Sequence, residues 1–425
     1  MGLLVGMALA AESGADELRE QALRAGCNQM VVALAASHPR PEDLLPDEMY
    51  IGGSQPAEIQ NFTEVFFRVL DAQRAFARQE GRLRERTQHI KTIYSGMVAE
   101  VKIAPDIPDN LRHGFFSAPA GSAFTALARY SSGMGVRKPD IFPDVTGFSL
   151  KILRPSEDNP RIEDWNLTFT KSVSAFAQDP FGFLQLLEFQ AEPRLLPKIW
   201  KGFKWAYDQP RAAYRLLTSA GRPFGSVLTQ TYGSGHAYAV GRQAVRFTVG
   251  PTPDTLQRLQ LRHGLKHFAG IFHEALFDRD YLSRDLMGWN MQGTTTLTLY
   301  AQLPPTTGTK LDAVDLIENG LAPWNSPLIP VAEIRLLQGG GAPQEVKKLT
   351  EKVSWNPGNY FLGHRPVGRM GRGRVFAYSA SQLGRWFDGV LQEPDGFDPS
   401  NGSDFQKAYT EVIQQRLRIK TFLNE

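Results

Sequence analysis

Apolar and polar positions divide the chain into three textures. Residues 1 to about 85 read as helical. Asp16 to Met30 is rich in Glu, Leu, Ala, Gln and Arg. After Pro56, residues Ile59, Phe62, Val65, Phe66, Val69 and Leu70 recur at i, i+3, i+4 spacing and predict one helical stripe facing the core. From His89 to about Leu303, short β-rich runs alternate with turn signals: Ile93 to Ile103, Phe124 to Ser131, Thr146 to Leu153, Ser226 to Tyr232, Ala237 to Val249 and Thr294 to Leu303. Helical patches interrupt them at Pro180 to Gln190, Pro197 to Tyr207 and Pro253 to Phe277. Many short strands with helical insertions predict a closed or nearly closed β-barrel. Residues 304 to 400 are rich in Gly and Pro with few periodic segments, the texture of a linker or of a segment wrapping the core. Ser403 to Phe422 reads as a terminal helix, with Ser403 and Gln406 spaced as a capping box.

Composition narrows the class. Of 425 residues, 42% are hydrophobic and 21% charged, which excludes disorder, collagen and coiled coil for the chain as a whole. The 47 basic and 44 acidic residues nearly cancel, so bulk charge makes no case for nucleic acid as a partner. Cys27 stands alone, which excludes an internal disulfide and a Cys-rich metal site and fits a reducing, cytoplasmic compartment. No apolar run reaches the roughly 20 residues of a transmembrane helix, although transient membrane contact stays open. Met1 to Ala10 is apolar but lacks a basic leader, and reads as a buried N-terminal segment rather than a signal peptide.

Chemistry-bearing residues cluster in short motifs. Arg86-Thr-Gln-His89-Ile-Lys91 is followed by Ala128-Arg129-Tyr130-Ser131 and Asp144-Val-Thr-Gly147-Phe148-Ser-Leu-Lys151. Next come Phe176-Ala-Gln-Asp179-Pro180-Phe-Gly-Phe183 and Tyr232-Gly-Ser-Gly-His236. Last are Asn356-Pro357-Gly-Asn359-Tyr360-Phe361 and Arg374-Val-Phe-Ala-Tyr378, running on to Arg385. In order and internal spacing these resemble the motifs of the haem catalase superfamily, over roughly residues 86–385. The resemblance implies an α+β fold: a catalase-like antiparallel β-barrel with helical insertions, an N-terminal helical arm (1–85), a barrel carrying the distal haem site (86–303) and a C-terminal wrapping segment with the proximal ligand (304–425). It implies haem b, with Tyr378 as ligand to the iron and His89 as the distal acid–base. Ser131 would hold the His89 ring, Phe183 would stack on the haem, and Arg86, Arg129 and Arg385 would bind its propionates. A free tyrosine ionises near pH ~10, so a phenolate ligand needs a cation beside it, and Arg374 lies four residues before Tyr378. A histidine, with its ordinary pKa near ~6.5, suits both taking and returning a proton.

The departures from the family pattern also inform. Aligned without a gap, Trp165 to Ser172 puts Thr170 where the family has a distal asparagine, and Ser172 to Phe176 replaces a bulkier packing segment. The chain ends soon after the proximal element, so the C-terminal helical domain of catalases is expected to be mostly missing. These departures resemble the catalase-related branch of allene oxide synthases, hydroperoxide lyases and small organic peroxidases. The expected activity is haem-dependent transformation or reduction of an organic, fatty-acid hydroperoxide, with homo-oligomers open. The alternatives are a small catalase or peroxidase that clears hydrogen peroxide in oxidative-stress defence, and a non-catalytic haem-binding protein. Lys171, Lys198, Lys201 and Lys204 read as a solvated face that could attract a substrate carboxylate. His263, His267, His273 and Glu274 read as helix surface rather than a metal cluster, and His38, His113 and His364 as solvent-facing or structural.

Overall fold

The computed structural model describes residues 23–155, 162–172, 175–220, 225–264, 276–337 and 350–388. Helix α1 (23–37) and helix α2 (Gln55–Glu80) form the N-terminal part. Ser54 caps α2, accepting from the Ala57 amide at 3.4 Å, and Gly81 ends it in the left-handed region at φ 58°. The predicted stripe is real: Phe62, Val65, Phe66, Val69 and Leu70 are buried, while Ile59 is only partly so.

Eight antiparallel strands close into a barrel. They are β1 (Thr92–Ile103), β2 (Ala123–Ser132), β3 (Thr146–Pro155), β4 (Ile162–Thr170), β5 (Tyr232–Val240), β6 (Gln243–Pro251), β7 (Thr295–Gln302) and β8 (Ile329–Leu336). Strand order is β4-β3-β2-β1-β8-β7-β6-β5, and a β4–β5 pairing at Thr170 and Gly233 completes the ring. A short β9 (Pro366–Val367) adds to the outer side of β5. Inward aromatics such as Trp165, Phe148 and Phe247 fill the interior.

Helices α3 (Pro180–Ala191), α4 (Leu195–Asp208) and α5 (Pro210–Ala220) lie between β4 and β5. Asp179 caps α3, accepting from the Gly182 amide at 2.9 Å, and Pro180 takes the first turn, so the Asp-Pro motif is a helix start. Helices α6 (Pro253–Gly264), α7 (Tyr281–Gln292) and α8 (Ala313–Glu318) follow. Helix α9 (Gly368–Phe387) packs against α2, α3 and β5.

Three sequence readings need correction. Ser226 to Tyr232 is not a strand: Val227–Thr229 is a 3-10 turn, and β5 starts only at Tyr232. Ala237 to Val249 is not one strand but a hairpin, turning at Gly241 with φ 60°. Residues 304–400 are not irregular throughout, since they supply the eighth barrel strand and the 20-residue α9. Glycines hid α9. A Cβ at Gly373 would lie 2.3 Å from Pro180 Cγ and one at Gly384 2.0 Å from Gln73 Oε1, so helix-weakening residues are there for close packing. The terminal helix expected at Ser403 to Phe422, the reading of residues 1–22, and His267, His273 and Glu274 lie outside the described residues.

Candidate active site

A cavity of about 570 Å³ opens between the barrel and helices α2, α3, α5 and α9. His89, Thr170, Arg86, Arg129, Phe183, Arg374, Tyr378 and Arg385 all line it. Ser131 stands one shell behind, against His89. The motifs therefore converge from five elements and their flanking loops onto one space.

His89 precedes β1 and takes the left-handed backbone, φ 57°, which is unusual for a residue with a side chain. Its amide donates to the Gly133 carbonyl at 3.0 Å, and Nδ1 is 3.1 Å from Ser131 Oγ. The ring lies over Gly147 of β3, where any Cβ would sit 2.6 Å from Cε1, so the glycine of the Asp-x-x-Gly-Phe motif makes room for the imidazole. Desolvation in the cavity wall, reinforced by the charges of Arg129 and Arg374, lowers the His89 pKa to about 3 and keeps the ring neutral. Gly147 also pairs with Thr170, which sits on the rung that closes the barrel.

Tyr378 and Arg374 lie one helical turn apart on α9. Arg374 Nη2 donates to the Tyr378 hydroxyl at 3.1 Å and to Thr168 Oγ1 at 2.7 Å. Its Nη1 donates to the Ser234 carbonyl at 3.0 Å and contacts His236 Nδ1 at 2.7 Å. These partners of the guanidinium are all uncharged, because burial and the nearby Arg374 charge push the His236 pKa well down. Helix α9 is aimed by the corner at Gly368, φ 73°, where a Cβ would fall 2.5 Å from the Ile317 carbonyl. It is buttoned to the barrel by Asn356: Nδ2 donates to Ser379 Oγ at 2.9 Å, and the Asn356 carbonyl accepts from Asn166 Nδ2 at 3.0 Å. The Asn-Pro-x-Asn motif thus fixes the residue next to Tyr378.

At another part of the wall stand Arg86, Arg129 and Arg385. Arg86 donates to Glu351 at 3.1 Å and to the Thr350 and Val353 carbonyls. Arg129 donates to Thr92 Oγ1 at 2.9 Å and to the His89 carbonyl at 2.6 Å. Arg385 donates to the Glu351 carbonyl at 2.6 Å. Burial, then the like charge of Arg86, lowers the Arg129 pKa to about 9. Burial raises the Glu351 carboxyl, but Arg129 and Arg86 together hold it below the ordinary range.

Some functional neighbours were not legible in the sequence. His236 was visible only as the end of a loose motif, and Thr168 and Glu351 carried no signal. His38 and His364 are not solvent-facing. His38 is buried against Glu58 at 2.9 Å, and His364 is stacked on Trp165 with the Phe115 amide donating to it at 2.8 Å. Asn166 is barrel structure and does not line the cavity.

Solved structures share this architecture. Catalase A from Saccharomyces cerevisiae matches with TM-score 0.57 at 17% identity, covering 73% of this chain and 64% of that one. A bacterial catalase matches with TM-score 0.55 at 19% identity, covering 77% and 63%, and a fungal catalase with TM-score 0.54 at 17%, covering 77% and 67%. The chain spans about two thirds of the length of these structures. No family model and no curated protein matches it. The fold is catalase-like, a mixed α+β barrel with helices.

Proposed function

We propose that the cavity binds haem b and that the protein is a haem-dependent enzyme acting on peroxides, with organic, fatty-acid hydroperoxides as its substrates. The observation that carries this is a phenol, Tyr378, held at 3.1 Å by the Arg374 guanidinium in the same buried cavity as His89. The donor set fits the group. Arg374 has neutral partners and sets its charge against the Tyr378 hydroxyl, the oxygen that would ligate iron. Arg86, Arg129 and Arg385 surround an ionised Glu351, an environment already built for carboxylates and suited to two propionates. Phe183 offers an aromatic wall.

Haem, when bound, supplies the redox chemistry that cleaves a peroxide O–O bond. The chain moves the proton. Ser131 engages Nδ1 of His89, so Nε2 of the neutral ring takes the hydroperoxide proton and returns it to the departing oxygen. Thr170 presents a short hydroxyl at the closing rung, leaving space for a substrate bulkier than hydrogen peroxide. Lys138 and Lys198 line the cavity, with Phe189, Leu216 and Leu217 beside them, which suits a carboxylate head on an apolar chain. Removal of hydrogen peroxide is the second reading, favoured by the likeness to catalases.

Turnover per haem on hydrogen peroxide and on a polyunsaturated fatty-acid hydroperoxide, measured side by side, tests the proposal. Faster lipid consumption supports it, and faster hydrogen peroxide consumption with oxygen release assigns the second reading. A Tyr378→Phe protein that kept its haem content and activity would overturn both.

A further inference from the structure

Helices α4 and α5 carry eight exposed large hydrophobic residues. On α4, Leu195, Leu196, Ile199, Trp200, Phe203 and Tyr207 are exposed, with Trp200 at 67% and Phe203 at 66%. At 100° per residue these six fall within a single arc of about 140°. Outside the arc the helix is held to the protein: Trp205 is buried with its indole donating to the Gly182 carbonyl at 3.1 Å, and Gly202, at the edge of the arc, packs on Phe189. On α5, Tyr214 and Leu217 continue the exposed surface. A soluble helix turns such an arc inward, so this face has been left for a partner.

Charge identifies the partner. Between residues 193 and 220 there are six basic residues and one acidic residue. Lys198 and Lys204 border the apolar arc on either side and Arg211 is exposed at the start of α5, whereas Lys201 lies on the far side of α4, paired with Glu192 at 2.8 Å. Aromatic and aliphatic side chains on one face with lysines at its borders make an interfacial membrane helix. A second copy of the chain fits less well, because a two-fold contact would set this basic surface against itself. Leu217, 73% exposed, also lines the cavity, as does Lys198, so the surface runs into the cavity mouth.

We infer that α4 and α5 dock the protein on the surface of an anionic lipid bilayer, with the cavity mouth at the lipid interface. The exposed arc enters the headgroup region, the lysines and arginines meet lipid phosphates, and an amphipathic substrate can pass from the bilayer to the cavity without crossing bulk water.

Co-sedimentation of the full chain with vesicles tests this, comparing phosphatidylcholine alone with an equal mixture of phosphatidylcholine and phosphatidylglycerol. The expected result is binding to the mixed vesicles that weakens as salt is raised. A triple substitution Ile199→Ser, Trp200→Ser, Phe203→Ser is expected to weaken binding by about tenfold or more, from lost apolar burial. A second variant, Lys204→Glu with Arg211→Glu, is expected to lose the preference for phosphatidylglycerol. Melting temperature and consumption of a small soluble hydroperoxide serve as controls for folding and should stay at native values. Absence of binding, or binding unchanged in both variants, overturns the inference. A triple variant that changes only the oligomeric state on a sizing column also overturns it and assigns the face to a second copy. Vesicle binding is read without peroxide, so failure of the proposed chemistry and failure of this surface are distinguishable.

Discussion

Two arginines two positions apart on α9 meet opposite surroundings. Arg372 is buried among carboxylates: Nε donates to Glu58 at 2.7 Å, and Nη1 donates to Glu48 at 2.5 Å and lies 3.5 Å from Glu318. His38 backs Glu58, and Arg365 bonds Glu48. Burial opposes the Arg372 charge, but Glu58, Glu318 and Glu48 more than offset it and raise its pKa. Arg374 meets a carbonyl, a threonine, a neutral histidine and a phenol. The same side chain is an anchor where anions neutralise it and a source of field where they do not. The knot at Arg372 ties α9 to α2, the 40s loop and α8, and so sets the rotation at which Arg374 and Tyr378 enter the cavity.

Breaking the knot should have the largest effect. Arg372→Met leaves buried carboxylates without their cation and is expected to lower stability by about 3–5 kcal/mol in urea unfolding. Adding Glu48→Gln, Glu58→Gln and Glu318→Gln to that variant should recover a good part of the loss, which would show that stranded charge, not lost packing, was responsible. Arg374→Met should lower stability less, by about 1–3 kcal/mol from acceptors left unpaired. Its main readout should be a changed haem absorption spectrum, which Arg372→Met with the three Glu→Gln changes leaves intact. If both variants shift the spectrum alike, the contrast between the two arginines is wrong.

Acid separates the regions further. Glu48 and Glu58 have lowered pKa values in the folded protein, so their contribution is present above the ordinary 4.5 and is lost as pH falls below it. The cavity side responds earlier. His89, with folded pKa about 3 against the ordinary 6.5, and His236, also depressed, are neutral in both states above pH 6.5 and cost nothing there. Below it the unfolded chain binds protons that the folded chain refuses, so stability falls. Asp144, raised to about 6 by burial, works in the other direction between pH 3.8 and 6. Chemical unfolding at stepped pH should show stability declining from about pH 6.5, and His89→Gln should flatten the upper part of that decline. The smallest effect is expected at the cavity mouth: Lys138→Gln with Lys198→Gln should raise KM a few-fold for a fatty-acid hydroperoxide and leave KM for its methyl ester unchanged.

The same contrast explains what the sequence disclosed. A helical stripe reports burial on one face, so α2 was legible, and β1 to β3 stood out as β-rich runs between turn signals. Strand β5 is buried on both faces, inward by the barrel and outward by α9, so it shows no alternation and its start was misplaced. Helix α9 was masked by glycines whose purpose is contact with elements distant in sequence. Within the cavity, residues belonging to local motifs were visible. Thr168 on its wall, and His236 and Glu351 behind Arg374 and Arg86, are brought there only through barrel closure and the return of the chain after β8, and no local spacing encodes that. The ionic knot was invisible for the same reason, since its carboxylates come from three separate segments.

The barrel ring has one thin seam. Strands β3 and β4 share nine rungs from Gly147–Thr170 to Pro155–Ile162, whereas β4 and β5 share the single rung Thr170–Gly233, joined by the Gly233 amide donating to Ser172 at 3.1 Å. In native-state hydrogen exchange, the Gly233 amide should therefore lose its proton well before those of β2 and β3. That seam adjoins the wall on which His89 rests, so loosening there is expected to change the width of the chamber beside His89 and Thr170 before it disturbs the rest of the barrel.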